Sequence, residues 1–374
     1  MNRILFLLAA PACIASAADF TADSGRGQRL FETLSCVQCH SVNGVGGKVA
    51  PDLGRMVDRG FTPATLAATM WNHAPGMWSA MRERQIVAGD LDRQAAQDLM
   101  AFFYAARFFE KPGDAGRGKR AFERLGCQGC HGLTSPSGNA GAKPVTEWQG
   151  LSDPIALVEA MWNHRADMLA ASGSKGTPLA QLNAQDLTDM LVYLRNLPGT
   201  RQASGTFRIE ATSAAGTAFQ SAGCAKCHQT VEMLAAKVQG ETLTEIAADM
   251  WNHAPRMAAA GASSSPLPSG QMRDLVSSFW ATTFFDDAGH PASGSRVFAA
   301  KNCTACHNDA SSGAPRLPIT GRQFNGAAMI STLWRHGPRM LDQMKSKGLA
   351  WPRFDGTQMA DLIAYLNLSK PGHP

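Results

Sequence analysis

The chain has 374 residues, with 35 Lys and Arg against 30 Asp and Glu, nine Cys and ten His. That length predicts two to four domains, and a composition of 17% charged and 44% hydrophobic residues excludes a disordered chain. The formal charge of +5 comes without any Lys/Arg-dense stretch, which excludes a nucleic-acid footprint.

At the N-terminus Arg3 precedes the apolar run Ile4 to Ala10, and small residues follow at Ala15-Ser16-Ala17-Ala18. Basic start, apolar middle and small-residue exit together read as a secretory signal peptide over residues 1–18. Cys13 lies inside it, and Ala10-Pro11-Ala12 matches a lipidated-cysteine sequence poorly. No later apolar run is long enough to cross a bilayer. The mature chain is therefore expected to be soluble, without a transmembrane segment, and periplasmic or otherwise extracytoplasmic.

The eight remaining cysteines fall into four pairs, each with two residues between its members and a His directly after. They are Cys36 and Cys39 before His40, Cys127 and Cys130 before His131, Cys224 and Cys227 before His228, and Cys303 and Cys306 before His307. An exported protein with an even cysteine count ordinarily suggests disulfides, but C-x-x-C-H is the attachment sequence for c-type haem. The two thiols add to the porphyrin vinyl groups, and the next residue presents an imidazole to the iron. A zinc half-site would need a second pair nearby, and a redox dithiol would not need the histidine. Four covalently bound haem c groups are expected, held by the eight cysteines, with His40, His131, His228 and His307 as proximal ligands.

The pairs recur every 79 to 97 residues, and a pattern recurs around them. Ahead of each is a short amphipathic helix with Gly four residues before Phe: Gly27/Phe31, Gly118/Phe122 and Gly294/Phe298, with Ala215/Phe219 in the third copy. After it come a proline loop (Pro51-Asp-Leu53, Pro315-Arg-Leu317), a helix with a Trp-x-His signature, and a closing helix: Asp98 to Phe102, Asp189 to Tyr193, Asp361 to Tyr365 and, more loosely, Asp274 to Phe279. Apolar spacing of three to four makes the chain all-α.

This order resembles class I cytochrome c, four times over and across nearly the whole mature chain. The resemblance implies four tandem cytochrome c-like helical domains, at 19–112, 113–200, 208–288 and 289–374. It implies that first and last helices cross at the small Gly, so that these Gly, Phe, Asp and Tyr residues serve packing. It also implies that a loop-proline carbonyl receives the proximal His Nδ1–H, a role that Pro51 and Pro315 match and Pro144 is a candidate for. Repeats one and three share aromatic endings (Phe103 to Phe109, Phe279 to Phe285), whereas repeats two and four end on Tyr-Leu. This predicts two dihaem pairs, one-plus-two and three-plus-four, joined by the Gly/Ser/Thr-rich linker Pro198 to Phe207.

The family's distal Met, just ahead of the last helix, is missing. Trp351, Ala88 and Leu179 stand at that place. Upstream, all four repeats carry another signature: Trp71-Asn-His73-Ala-Pro75-Gly-Met77, Trp162-Asn-His164-Arg-Ala-Asp-Met168, Trp251-Asn-His253-Ala-Pro255-Arg-Met257 and Trp334-Arg-His336-Gly-Pro338-Arg-Met340. His and Met four apart share a helical face, and the Pro is expected to kink it. Each repeat thus offers two sixth ligands. Because His/Met is the commoner pairing in the family, Met77, Met168, Met257 and Met340 are preferred, with His73, His164, His253 and His336 as alternatives. The Trp is expected to pack on the porphyrin or to donate to a propionate. His290 and His373 read as surface residues.

Six-coordinate haems in helical shells exchange electrons without binding substrate. The expected function is a periplasmic tetrahaem cytochrome that carries electrons between a redox protein donor and acceptor, and no enzyme. The alternatives are a haem enzyme with one open iron, repeat two being the suspect because it lacks the Pro and carries Arg165 and Asp167, or an electron-entry subunit associated with a membrane respiratory complex.

Overall fold

The computed structural model describes residues 21–54, 61–87, 89–107, 113–136, 142–174, 178–200, 207–262, 265–285, 288–317 and 324–367. The expected signal peptide, Ala88, Phe108, Phe109, His373 and most of the expected linker lie outside them.

The chain is all-α, as expected. Repeat one holds α1 (Ser24–Thr33), α2 (Pro63–Glu83) and α3 (Arg93–Arg107). Repeat two holds α4 (Ala115–Arg124), α5 (Pro154–Asn163), α6 (Arg165–Ser174) and α7 (Ala184–Arg195). Repeat three holds α8 (Ala215–Ser221), α9 (Ala225–His228), α10 (Val231–Ala235), α11 (Leu243–Ala259) and α12 (Gln271–Phe284). Repeat four holds α13 (Pro291–Ala300), α14 (Thr304–His307), α15 (Gly326–Ser346) and α16 (Gly356–Leu366). Short strands accompany them: β1 (Ala22–Asp23) pairs antiparallel with β4 (Glu210–Ala211), and β2 (Ser41–Val42) with β3 (Val45–Gly46).

First and last helices cross where the glycines predict. A Cβ on Gly27, Gly118 or Gly294 would collide with the carbonyl of Asp98, Asp189 or Asp361, so only glycine lets α1, α4 and α13 approach α3, α7 and α16 so closely. One turn on, Phe31 meets Phe102 at 5.8 Å, Phe122 meets Tyr193 at 6.2 Å and Phe298 meets Tyr365 at 5.4 Å. The aspartates do more than pack. Asp98 is buried, accepts the Asp23 N–H at 2.8 Å and pairs with Arg26. Asp189 takes the Asp114 N–H and Arg117 in the same way. Asp361 accepts from the His290 N–H, and Asp274 from the Thr212 N–H. In each repeat the last helix thus ties down the start of the first with a charge-assisted bond.

The shared endings predict chain-adjacent pairs, but the contacts join the repeats otherwise. Helix α2 packs on α15 and α16, and α15 on α3, which pairs repeat one with repeat four. Helix α5 packs on α11 and α12, and α7 on α11, which pairs repeat two with repeat three. The aromatic endings of repeats one and three meet each other: Tyr104 lies 4.6 Å from Trp280 and 5.4 Å from Phe284. Beside them Ser24 N–H donates to the Ile209 carbonyl, and the Ile209 N–H returns to Ser24 Oγ, both at 3.0 Å. One apolar core runs through all four repeats, with a satellite of Ala74, Trp78, Leu333 and Leu341 between α2 and α15.

Candidate functional site

Each Cys-x-x-Cys-His segment follows its first helix directly. Cys36–Gln38 and Cys127–Gly129 form single 3-10 turns, and Ala225–His228 and Thr304–His307 single α-turns. The second cysteine of each pair closes that turn on the first. The Cys39 N–H donates to the Cys36 carbonyl at 3.2 Å, Cys130 to Cys127 at 3.2 Å, Cys227 to Cys224 at 3.1 Å and Cys306 to Cys303 at 3.3 Å. In all four the His N–H donates to the same carbonyl, at 2.9 to 3.0 Å.

The disulfide reading of an even cysteine count does not hold: no disulfide joins the described cysteines. Cys36, Cys39, Cys127, Cys130, Cys224, Cys303 and Cys306 are half-buried, and Cys227 is exposed. Burial pushes Cys36, Cys127 and Cys303 up to about 11, and Cys224 upward as well. The two members of a pair therefore differ. The first cysteine sits deeper against the core, where Cys36, Cys127, Cys224 and Cys303 all pack, and Cys39, Cys130, Cys227 and Cys306 are not part of that contact. Among the described residues no three His, Cys, Asp or Glu side chains cluster as a metal-ion site, so cysteine pair and histidine do not form a zinc-type cage.

Three of the motif histidines, His40, His131 and His307, are oriented through Nδ1. His40 holds the Pro51 carbonyl at 2.9 Å and His307 the Pro315 carbonyl at 2.8 Å, the partners that the proline loops predict. His131 reaches the Lys143 carbonyl at 3.0 Å, one residue ahead of the candidate Pro144. Fixing Nδ1 on a carbonyl sets the tautomer that leaves Nε2 to a metal.

The Trp-x-His helices supply the opposite wall. The imidazoles of His131 and His164 lie 6.2 Å apart between centroids, and those of His228 and His253 lie 6.0 Å apart. At this separation the two imidazoles of each pair could both serve one metal held between them. His73 and His164 are themselves held through Nδ1, on the Thr69 and Ala160 carbonyls one turn back at 2.7 and 2.6 Å. Burial, with the opposing His164, holds His131 below the ordinary histidine range; burial, His253 and Lys237 do the same for His228. Both shifts favour the neutral imidazole, the form that binds metal. The donor set fits a haem iron. Met168 and Met257 instead pack on the main core, and Met77 on the satellite between α2 and α15. In repeat four His336 is exposed and Met340 half-buried, both on α15.

The Trp and Asn of the signature do something that the sequence reading missed. They dock one repeat on another. Trp71 Nε1 donates to the Pro352 carbonyl at 2.9 Å, and Asn72 exchanges two bonds with the Phe354 backbone. Trp334 donates to the Gly89 carbonyl, and Arg335 pairs with Asp90. Trp251 donates to the Ala180 carbonyl, Asn252 brackets Leu182, and Asn163 brackets Leu267. Trp162 is the exception: its Nε1 is buried without a partner, and Arg165 covers its ring at 4.3 Å. The receiving loops are those just ahead of the last helices, where the resembling family carries its Met. Here they are interdomain docking sites, which accounts for Trp351 and Leu179 at that place.

The prolines do not break the signature helices. Helices α2, α11 and α15 run through Pro75, Pro255 and Pro338, whereas repeat two, without the Pro, breaks at His164 into α5 and α6. Arg165 takes part there: it is buried and donates to the Trp162 carbonyl at 2.7 Å.

Residues 24–104 match the family model for cytochrome c. Residues 289–366 match that for cytochrome c oxidase, cbb3-type, subunit III. The two matches support a multihaem c-type cytochrome with covalently bound haem c and a haem-based electron-transfer function. No curated protein and no solved structure matches the chain. No described helix is long and apolar enough to cross a membrane.

Proposed function

We propose that the protein is an exported tetrahaem c-type cytochrome that passes electrons between a donor and an acceptor protein. Cys36 and Cys39, Cys127 and Cys130, Cys224 and Cys227, and Cys303 and Cys306 would each attach one haem. His40, His131, His228 and His307 would hold one side of each iron, and His73, His164, His253 and His336 the other. The observation that carries this reading is the 6.2 Å and 6.0 Å facing of His131 with His164 and of His228 with His253.

The haem supplies one-electron chemistry. The chain's part would be to orient His40, His73, His131, His164 and His307 through Nδ1 and to supply two imidazoles to each haem iron from within a helical shell. Two histidines set a lower potential than His with Met, because a thioether stabilises the reduced iron better. An open enzyme site at repeat two loses its motive, since His164 faces His131 although the Pro is missing. The match to the cbb3-type subunit favours a respiratory electron-transfer partner.

Haem content per chain, measured on the purified holoprotein together with carbon monoxide titration of the reduced form, tests the proposal. Four haems, none taking carbon monoxide readily, is the expected result. Fewer haems, or one that binds carbon monoxide at once, would count against it.

A further inference from the structure

The two pairs of repeats share a docking frame, and the one–four pair holds an additional side chain in it. In the one–four pair, Pro75 has no N–H to offer the Trp71 carbonyl, the acceptor four residues back. The indole of Trp351 replaces it: its Nε1 donates to Trp71 O at 2.9 Å. The ring stacks on Trp71 at 5.1 Å and meets the edge of Trp78 at 5.8 Å.

In the two–three pair Trp251 and Pro255 repeat this frame, and Trp251 Nε1 reaches Ala180 as Trp71 Nε1 reaches Pro352. The residue in register with Trp351 is Leu179, and that in register with Trp78 is Ala258. The indole is thus missing at Leu179, and a cavity of about 520 Å³ opens there. Trp251, Pro255, Leu169 and Leu179 line it, with Arg256 and Gln181 as polar groups. No Cys-x-x-Cys-His residue, and neither His164 nor His253, is among its lining residues.

We propose that this cavity binds a flat aromatic molecule bearing an N–H or O–H donor, the class of indoles, phenols and hydroquinones. The ring would lie on Trp251, as Trp351 lies on Trp71, and its donor would take the place of the N–H that Pro255 cannot offer the Trp251 carbonyl. A ring of this kind suits a mostly apolar pocket with one directed polar group. The proposal goes beyond the electron-transfer reading and does not depend on which residues ligate iron.

Isothermal titration of the full-length holoprotein with indole, a probe that does not reduce the haems, tests this. Indole is expected to bind at one site per chain, and N-methylindole, which lacks the donor, about tenfold or more weaker. Leu179→Trp and Leu169→Trp, both at residues that line the cavity and each retaining the wild-type haem spectrum, should abolish binding by filling the space; if one fails to fold, the other decides. No binding of indole, equal binding of N-methylindole, or undiminished binding in the folded variants would overturn the proposal.

Discussion

The indole of Trp351 in repeat four donates to the carbonyl of Trp71 in repeat one, the carbonyl that Pro75 leaves without a helical donor. A helix defect in one repeat is thus repaired by a side chain from another, 280 residues away in the chain. The same Trp71 returns a bond to the next residue, through its Nε1 to Pro352 O. Trp351→Leu would reproduce the two–three arrangement. It removes one hydrogen bond and one stacked ring, and it should cost about 2–4 kcal/mol in thermal or denaturant unfolding.

Gly337 sits where α15 crosses α2, and a Cβ there would run into the Trp78 ring. Gly337→Ala should destabilise the protein by about 1–3 kcal/mol. Gly76, on α2 itself, has nothing within 4 Å of the place a Cβ would take. Gly76→Ala should be stabilising by about 0.5–1 kcal/mol through helix propensity alone. Denaturant midpoints of the two variants, measured side by side, check the opposed signs.

Burial would raise the Asp189 carboxyl, but its bonds to Arg117, the Asp114 N–H and Gln185 outweigh that and hold it below the usual carboxylate range. A carboxyl lowered by folding stabilises the native state above its unfolded value, and the contribution is lost as pH falls through the folded one. Asp189→Asn should therefore lower stability at neutral pH and flatten its decline below about pH 4. Unfolding midpoints across that range, for wild type and variant, give the comparison.

If the distal ligands are histidines, the four methionines of the signature are packing residues. Met168→Leu should leave the low-spin spectrum and the potentials close to wild type, with a loss of less than about 1.5 kcal/mol in stability. His164→Ala should open one iron, seen as a high-spin component and as carbon monoxide binding by one haem per chain.

Much of this was legible in the sequence because it is local. The cysteine spacing, the Gly/Phe helix faces and the proline loops at Pro51 and Pro315 each predict a contact within one repeat. The sequence treats the two cysteines of a pair as equals, whereas the fold sets Cys36, Cys127 and Cys303 against the core and leaves Cys39, Cys130 and Cys306 outside that contact. What was missed is long-range. Nothing about Trp71 or Asn72 says that their partners are Pro352 and Phe354, and likeness between repeats one and three reports ancestry rather than chain-adjacent pairing; those endings pack on each other. At Pro75 the sequence shows the missing N–H but not the indole of Trp351 that replaces it. Between Met and His the sequence offers only family habit, because the distance between two rings such as His131 and His164 depends on how the helices pack.

The most direct test is absorption and magnetic-resonance spectroscopy of the oxidised holoprotein in the region of the iron–thioether charge-transfer band. The account predicts low-spin haems with no such band, since on the proposed ligation each iron would carry two imidazoles. A band at the strength of four haems would contradict it and return the sixth position to Met77, Met168, Met257 and Met340.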